Sequence, residues 1–245
     1  MPTVAMYALL TVVLMGGGLY AFHVTERFLI EDARFALEGS EDTVSLSVAG
    51  ASNASVKAMQ AVFQDDLGKS VYLLPLNDRR KGLRKVDWVR DATVARLWPN
   101  RLMVRVWERT PVAFVPMNGA GYGLIDAEGV LLAPVSARFR LPVLHGLNPS
   151  SSDAERLERV GRMLKATDDL GTAVTQDLSE IDVSDKDNLR VTQPYGRSVL
   201  TLMLGDRNFA QRYKNFKQHF EEIRRRLPDA VTLDLRLEDR ITVVQ

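Results

Sequence analysis

The sequence contains no cysteine and only three histidines, and these two scarcities remove several kinds of site. Without thiols the chain forms no disulfide, offers no thiolate to a metal and has no cysteine nucleophile. His23, His145 and His219 are widely separated and share no metal-ligand spacing, so no metal site and no cofactor are predicted. The hydrolase motifs G-x-S-x-G, S-x-x-K and H-E-x-x-H are missing as well, which argues against acyl transfer and zinc hydrolysis.

The chain also lacks an excess of either charge. Its 32 basic and 31 acidic side chains give a net charge of +1, which provides no reason to expect a polyanionic partner for the whole molecule. Hydrophobic residues make up 46% of the chain and charged residues 26%, a balance typical of globular domains. A length of 245 residues leaves room for two modest domains, each with its own core.

Charge is absent altogether from residues 4–22. As a helix this stretch would span roughly 28 Å, close to the hydrocarbon thickness of a bilayer. A cleaved signal peptide is the alternative, but the run is longer than a usual signal core, no basic residue precedes it, and no suitably placed small-x-small cleavage site follows. We therefore predict a cytoplasmic stub (residues 1–3), a retained transmembrane helix (residues 4–24) and a helical juxtamembrane linker (residues 25–41).

Residues 42–111 have the pattern of a small α+β domain, in the order strand, helix, helix, strand, strand. The last strand is the clearest, because after a turn at residues 98–100 apolar and polar residues alternate with a period of two until Pro111. One face of this strand carries Leu102, Val104 and Val106, and the other carries Arg101, Met103, Arg105 and Trp107.

Residues 112–245 show a different pattern, in which short strands joined by turns alternate with two amphipathic helices. The first helix opens with a capping box at Ser152, and the second repeats aromatic residues at spacings of three and four over residues 208–227. The inner face of the first helix is predicted to carry Leu157, Val160, Leu164 and Leu170. The predicted fold class is α+β: a single N-terminal transmembrane helix, a small β-α-α-β-β domain, and a mixed β domain with two helices.

A longer motif runs through the centre of the chain, with the approximate form V..A.V.R.WP..L.V.V.ER.PVA followed by L.D..G. It is met by Val89, Ala92, Val94, Arg96, Trp98, Pro99, Leu102, Val104, Val106, Glu108, Arg109, Pro111, Val112, Ala113, Leu124, Asp126 and Gly129. This motif resembles that of the bacterial cell-division family FtsQ, called DivIB in Gram-positive bacteria.

The resemblance implies that residues 42–111 form a POTRA domain, which this family places next to the membrane, and that residues 112–245 form an FtsQ-type β domain. It implies a non-enzymatic scaffold anchored in the cytoplasmic membrane, with the bulk of the chain outside the cytoplasm and concentrated at the division septum. The implied partners are FtsB/DivIC-like and FtsL-like division proteins, with other division proteins contacting the POTRA domain. The family usually carries a longer basic cytoplasmic tail, so the short start indicates either a truncated sequence or a lost contact surface.

The chain ends in a β-branched run at residues 241–244, with no following strand or turn signal to cover it. An uncovered edge invites strand addition by another protein, and an inner strand paired on both sides is the alternative that the residues leave open. The resemblance favours partner binding, since the family binds FtsB or DivIC along its terminal strand and the neighbouring Arg of a DLR motif. By position this implies Arg236, Leu237, Arg240, Ile241 and Val243.

The segment from Arg79 to Arg109 contains ten basic residues, three acidic residues and all three tryptophans, a composition that would suit nucleic acid or anionic lipid headgroups. Because the basic residues alternate with apolar ones along strands, we interpret them as a solvated face and the tryptophans as core residues, and we predict no nucleic-acid binding. Attraction to phospholipid headgroups stays open as an alternative, since the domain follows the anchor closely. Arg101, Arg105 and Trp107 are predicted as contacts on the POTRA face.

Two other function classes stay open. Three pairs of carboxylates raise the alternative of a peptidoglycan-acting enzyme. The pairs are Asp126 with Glu128, Asp168 with Asp169, and Asp182 with Asp185. Each stands at a helix end or turn, where aspartate is favoured for local hydrogen bonding, so no catalytic residue is predicted. A POTRA-containing transport or secretion component is the second alternative, although such proteins usually carry several POTRA modules ahead of a membrane barrel.

Overall fold

The computed structural model describes residues 2–40, 43–117, 121–226, 228–237 and 240–244. The chain divides into two compact units, one up to Arg109 and one from Thr110 onward. Each unit has its own sheet and its own set of buried hydrophobic side chains.

The first unit begins with the long helix α1, Pro2–Glu31. From Met6 onward α1 is long and apolar enough to cross a membrane, and none of its most apolar window is buried inside the protein. The predicted N-terminal membrane-spanning candidate is thereby confirmed as a helix.

The prediction of helix throughout the linker (residues 25–41) is wrong beyond Glu31. Asp32 adopts an extended conformation, and its carboxylate accepts the N–H of Arg34, which starts a separate 3₁₀ turn at Ala33–Phe35. A short acidic side chain that hydrogen-bonds a nearby backbone N–H competes with continuation of the helix. Leu37 is then buried, so this segment packs as part of the first unit.

In the part of the first unit that the structure describes, five strands and two α-helices follow. They are β1 Gly39–Ser40, β2 Thr43–Val44, β3 Leu46–Ala49, α2 Val56–Ala61, α3 Leu76–Leu83, β4 Val89–Leu97 and β5 Arg101–Glu108. Strands β3, β5 and β4 form a sheet in that order, with β3 parallel and β4 antiparallel to the central β5. Strands β1 and β2 pair separately. The predicted β-α-α-β-β order is confirmed.

The alternation along β5 decides which side of this sheet is buried. Leu102, Val104 and Val106 are almost completely buried, whereas Met103 and Trp107 on the opposite face are exposed. Successive side chains of a strand point to opposite faces, so the pattern read from the sequence gives the orientation of the strand directly.

The prediction that all three tryptophans fill the core is wrong. Only Trp88 is buried, at 3% exposure, whereas Trp98 is 50% and Trp107 48% exposed. Trp107 stands on the outward face of β5, and Trp98 occupies the turn between β4 and β5.

Arg96 of the motif fixes a loop of the first unit. Its guanidinium donates from Nε to the carbonyl of Val71 at 2.6 Å and from Nη2 to the carbonyls of Tyr72 and Leu74 at 2.9 and 3.1 Å. A planar guanidinium can satisfy several carbonyls at once, so this residue holds the loop before α3 against β4.

Glu108 of the motif plays a similar part at the end of β5. Its Oε1 accepts the backbone N–H groups of Ser52, Asn53 and Ala54, each at 2.7 Å, and its Oε2 accepts the side-chain amide of Asn53 at 3.1 Å. Burial opposes the charge, but these donors outweigh it and lower the pKa of Glu108. The carboxylate therefore ties β5 to the loop that leads into α2.

The described residues of the second unit form nine strands and three helices. They are β6 Pro111–Pro116, β7 Tyr122–Asp126, β8 Leu131–Leu132, β9 Val143–His145, α4 Asp153–Leu170, α5 Thr172–Thr175, β10 Glu180–Asp182, β11 Leu189–Tyr195, β12 Ser198–Gly205, α6 Phe209–Arg226, β13 Thr232–Asp234 and β14 Thr242–Val243. The strands form one sheet in the order β14-β13-β12-β11-β10-β9-β6-β7-β8. Two strands sit in parallel pairs that the sequence did not predict: β9 lies between β6 and β10 and is parallel to both, and β13 is parallel to β12.

The helices α4 and α6 supply apolar side chains to the core of this sheet. The buried side chains of α4 are Val160, Met163, Ala166 and Leu170, and the buried aromatic side chains of α6 are Phe209, Tyr213 and Phe216. Leu157, predicted on the inner face of α4, is instead 50% exposed. The backbone of α4 at Leu157 lies close to the turn at Gly129, so close that a Cβ atom at residue 129 would stand 2.8 Å from the Leu157 nitrogen. It is the backbone that makes this contact, and the Leu157 side chain remains exposed.

We expect Glu108→Gln to lower the free energy of unfolding of the first unit by about 1–3 kcal/mol, because three backbone donors lose their charged acceptor. The lowered pKa means that the carboxylate stabilises the fold above its ordinary pKa of 4.5 and loses this effect as the pH falls through the folded value. Urea unfolding in detergent at a series of pH values measures both effects.

The exposed Glu158→Gln on α4 is the matched control and should leave stability unchanged. Equal stability of the Glu108 variant and the wild type at neutral pH would contradict the role given to this carboxylate.

Candidate partner-binding edge of the C-terminal sheet

Strand β14 lies at one end of the nine-stranded sheet. It pairs antiparallel with β13, with Leu233 opposite Val243 and Asp234 opposite Thr242. No other strand of the described residues pairs with β14, so its outer side forms an edge of the sheet. The alternative was an inner strand paired on both sides, and the structure shows β14 as an edge strand instead.

Hydrogen bonding along β13 shows which backbone groups of β14 point outward. The Val231 carbonyl accepts the N–H of Thr201, and the Leu235 N–H donates to the Met203 carbonyl. The backbone N–H and C=O groups of the odd-numbered residues of this segment are therefore directed toward β12. The Thr232 carbonyl accepts the N–H of Val244 at 3.1 Å, so the backbone N–H and C=O groups of the even-numbered residues are directed toward β14.

The same alternation applies to β14 itself. Because Val244 faces β13, Thr242 does so too, and the N–H and C=O groups of Val243 and Ile241 are directed away from β13. These outward groups are what a strand added at this edge would bond.

The five side chains predicted for partner binding occupy different surroundings. Leu237 and Val243 are 51% and 38% exposed, and Arg240 is exposed as well. Ile241 is only partly exposed and packs against the core of the second unit. A side-chain change at Ile241 therefore alters the fold together with any contact, which makes Val243 the better position for a test.

Arg236 is engaged within the chain. Its Nε and Nη2 donate to the carboxylate of Asp234, with distances of 3.0 and 2.6 Å, and its backbone N–H donates to the same group at 2.9 Å. Hydrogen bonding from Arg236 lowers the pKa of Asp234, and Asp234 in turn raises the pKa of Arg236. The Arg236 side chain is still 47% exposed, so it both braces the end of β13 and presents a cation beside the edge.

A groove of about 430 Å³ adjoins β14, and sequence reasoning did not identify it. It is lined by Arg226, Pro228, Asp229, Ala230, Val231, Val243 and Val244. Val231 precedes the first residue of β13 and is 59% exposed. The groove extends the edge with apolar surface.

On the first unit, the predicted POTRA-face residues share one side of β5. Arg101, Arg105 and Trp107 are all exposed, and the side opposite them is the buried one. The surface is open, and nothing among the described residues identifies what it contacts.

Several cations of the basic segment are paired within the chain. Arg79 bonds the buried Asp66, with Nε at 2.5 Å from Oδ2, and Arg80 bonds Asp91 at 2.8 Å. These ion pairs agree with the interpretation of the segment as a solvated structural face.

The carboxylates considered for catalysis serve turns and helix ends. Asp126 accepts the N–H groups of Glu128 and Val130, and Asp169 accepts that of Ala210. Burial raises the pKa of Asp182, but hydrogen bonds from Ser184 lower it by more, so the net shift is downward. A carboxylate held ionised in this way is poorly suited to act as a general acid. Among the described residues no group of three potential metal ligands comes together.

Two family models match the chain. The model described as "Cell division protein FtsQ/DivIB, C-terminal" matches residues 113–236, and the model described as "POTRA domain, FtsQ-type" matches residues 44–109. The chain belongs to the FtsQ/DivIB cell-division family. FtsQ/DivIB membership agrees with the resemblance seen in the central motif, and the described residues contain one N-terminal helix long and apolar enough to cross a membrane.

Curated FtsQ proteins are similar to this chain over different lengths. The cell division protein FtsQ of Koribacter versatilis (strain Ellin345) is 34% identical over 214 residues, covering 85% of this chain and 60% of the relative. FtsQ of Bordetella pertussis (strain Tohama I) is 41% identical over 59 residues, covering 24% of this chain and 22% of the relative. FtsQ of Syntrophotalea carbinolica is 23% identical over 184 residues, covering 72% and 64%. The chain thus spans less than two thirds of the length of these relatives.

One solved structure is similar to part of the chain. It is the major extracytoplasmic domain of the trans isomer of the cell division protein DivIB from Geobacillus stearothermophilus, at 21% identity. The match covers 50% of this chain and 96% of that one. Its TM-score of 0.28 is too low to support an argument.

Replacing Arg236 with Ala is expected to raise the pKa of Asp234 toward its ordinary value of 3.8, because hydrogen bonding from Arg236 is the largest cause of the lowering. The pKa of Asp234 is lower in the folded chain than in the unfolded chain, so the ion pair stabilises the fold at pH values above 3.8. This stabilisation is lost as the pH falls through the folded pKa. Titration of labelled aspartate carboxyls by NMR measures the pKa. Arg240→Ala is the control, and an unchanged Asp234 pKa in the Arg236 variant would count against the pairing.

Proposed function

We propose that this FtsQ/DivIB protein is a non-enzymatic scaffold of the bacterial division machinery. It is anchored by α1 in the cytoplasmic membrane, carries the bulk of its chain outside the cytoplasm, and is concentrated at the division septum. Its central task is recruitment: the outer edge of β14 binds an FtsB/DivIC-like protein, whose complex with an FtsL-like protein links this chain to septal cell-wall synthesis.

The observation that carries the proposal is the orientation of the β14 backbone. The N–H and C=O groups of Val243 and Ile241 are directed away from β13, at an edge where no described strand pairs with them. Unpaired edges of this kind promote association between chains, and proteins that retain them commonly use them to bind a partner strand.

Side chains beside the edge set the chemistry of the partner. Val243, Val244 and Val231 offer apolar surface along the groove, and the exposed Leu237 precedes β14 in the chain. Arg236 and Arg240 add positive charge. We therefore expect a partner segment that is extended and apolar on one face, with acidic residues near its ends.

A second contact surface is proposed on the POTRA domain. Arg101, Arg105 and Trp107 form an exposed row on the open face of its sheet. Tryptophan and arginine are the residue types most often found at energetically important positions of protein interfaces, so this row would contact other division proteins.

Val243→Pro tests strand addition. Proline removes the outward N–H of residue 243 without removing the inward bond from Val244 to Thr232, and its fixed φ is tolerated in an edge strand. We expect the variant to bind the FtsB-like partner of the same organism about tenfold more weakly or worse, measured by biolayer interferometry with the full chain in detergent.

Val243→Ala is the matched variant, because it shortens the side chain and keeps the N–H. It should bind more tightly than Val243→Pro, and both variants should unfold at the wild-type temperature. Wild-type affinity in the proline variant would show that the partner does not bond to this edge.

A further inference from the structure

The end of α1 is joined to the POTRA domain by a row of three aromatic rings. Phe28 of α1 meets Phe35 edge-to-face at a centroid distance of 5.5 Å, and Phe35 meets Trp98 in the same way at 5.7 Å. Edge-to-face pairs of this geometry add stability beyond the area that they bury. The turn between β4 and β5 is therefore held beside the last turns of α1.

Hydrogen bonds fix the same junction. The Ser70 hydroxyl donates to the Leu29 carbonyl of α1 at 2.6 Å, and the side-chain amide of Asn100 donates to Glu38 at 2.6 Å. Ser70 is itself buried. With these contacts on either side of the aromatic row, the position of Trp98 relative to α1 is set by the fold of the first unit.

The position along α1 places this junction close to the bilayer. Phe28 is four residues beyond Val24, the last residue of the predicted transmembrane helix, which is about 6 Å along the helix axis. The polar layer on each side of a bilayer is roughly 5–8 Å thick. The aromatic row consequently meets the outer part of the headgroup layer when α1 spans the membrane.

The surface of the junction is apolar where it is exposed. Trp98 is 50%, Leu97 39% and Leu73 54% exposed, and Phe28 is 46% exposed. Tryptophan is enriched at membrane interfaces because its ring is apolar and its N–H is polar. Leu73 lies in the loop that Arg96 holds, because Arg96 bonds the carbonyls of the residues on either side of it.

Two cations at the junction are paired locally. Arg27 bonds Glu31 at 2.9 Å, and Arg34 bonds Asp32 at 2.9 Å while its guanidinium lies 5.3 Å from the centre of the Phe28 ring. Arg101, opposite Leu97 in the hairpin, is exposed and adds a positive charge. Contact with the membrane would accordingly depend on the aromatic and apolar side chains together with this cation.

We propose that the tip of the β4–β5 hairpin, with Trp98 at its centre, rests in the lipid headgroup layer next to α1. This contact holds the POTRA domain in one orientation on the membrane surface. The inference requires α1 to span the membrane and is independent of strand addition at β14.

The three tryptophans of the chain allow a direct test with the full-length protein in lipid vesicles. Trp98 and Trp107 are almost equally exposed, and Trp88 is buried. In Trp107→Phe the emission comes from Trp88 and Trp98, and in Trp98→Phe it comes from Trp88 and Trp107. Each variant is reconstituted at low protein-to-lipid ratio into phosphatidylcholine vesicles with and without bromine on the acyl chains near the headgroups, and again with phosphatidylglycerol added.

The expected result is a loss of emission from Trp107→Phe in brominated vesicles, with little loss from Trp98→Phe. The loss should be larger with bromine near the headgroup than near the chain end, and phosphatidylglycerol should not reduce it. Equal emission of Trp107→Phe with and without bromine would overturn the proposal, as would equal quenching of both variants. If Trp98 is shielded from acrylamide in detergent only at high protein concentration, a second copy covers it and the proposal is wrong.

Discussion

Backbone hydrogen bonding is the constraint on which the candidate site depends. Residues 231–235 alternate between bonding β12 and bonding β14, so every second group of β14 is directed outward. The site is therefore a property of sheet order and register, and its side chains adjust which partner is accepted.

The motif residues that carry the family resemblance mainly hold loops in place. Arg96 binds three carbonyls, Glu108 binds three N–H groups, and Asp126 binds two more across the turn at Gly129. Arg236 likewise braces Asp234 at the end of β13. Arg96, Glu108 and Asp126 each bond several backbone groups that are buried or lie in turns. Replacing one of them destabilises the fold, since it leaves multiple polar groups without a partner. This explains how a motif can mark the fold strongly and still leave the partner contacts to other residues.

Local patterns predicted what depends on local physics. The uncharged run gave α1, the period of two gave the buried face of β5, and spacings of three and four gave the inner face of α6. Long-range pairing was not predictable in this way: the parallel position of β9 between β6 and β10 has no local signal in a three-residue strand. The half-buried state of Ile241 and the exposure of Trp98 likewise depend on neighbours distant in the chain, and the early end of α1 depends on a single carboxylate at Asp32.

Hydrogen exchange of the two neighbouring amides in β14 tests the central claim most directly. In the chain alone, the N–H of Val244 donates to Thr232 and should exchange slowly, whereas that of Val243 is directed outward and should exchange quickly. Saturating FtsB-like partner should slow the exchange of Val243 to a rate like that of Val244. Fast exchange of Val243 in the fully bound complex would contradict strand addition at this edge.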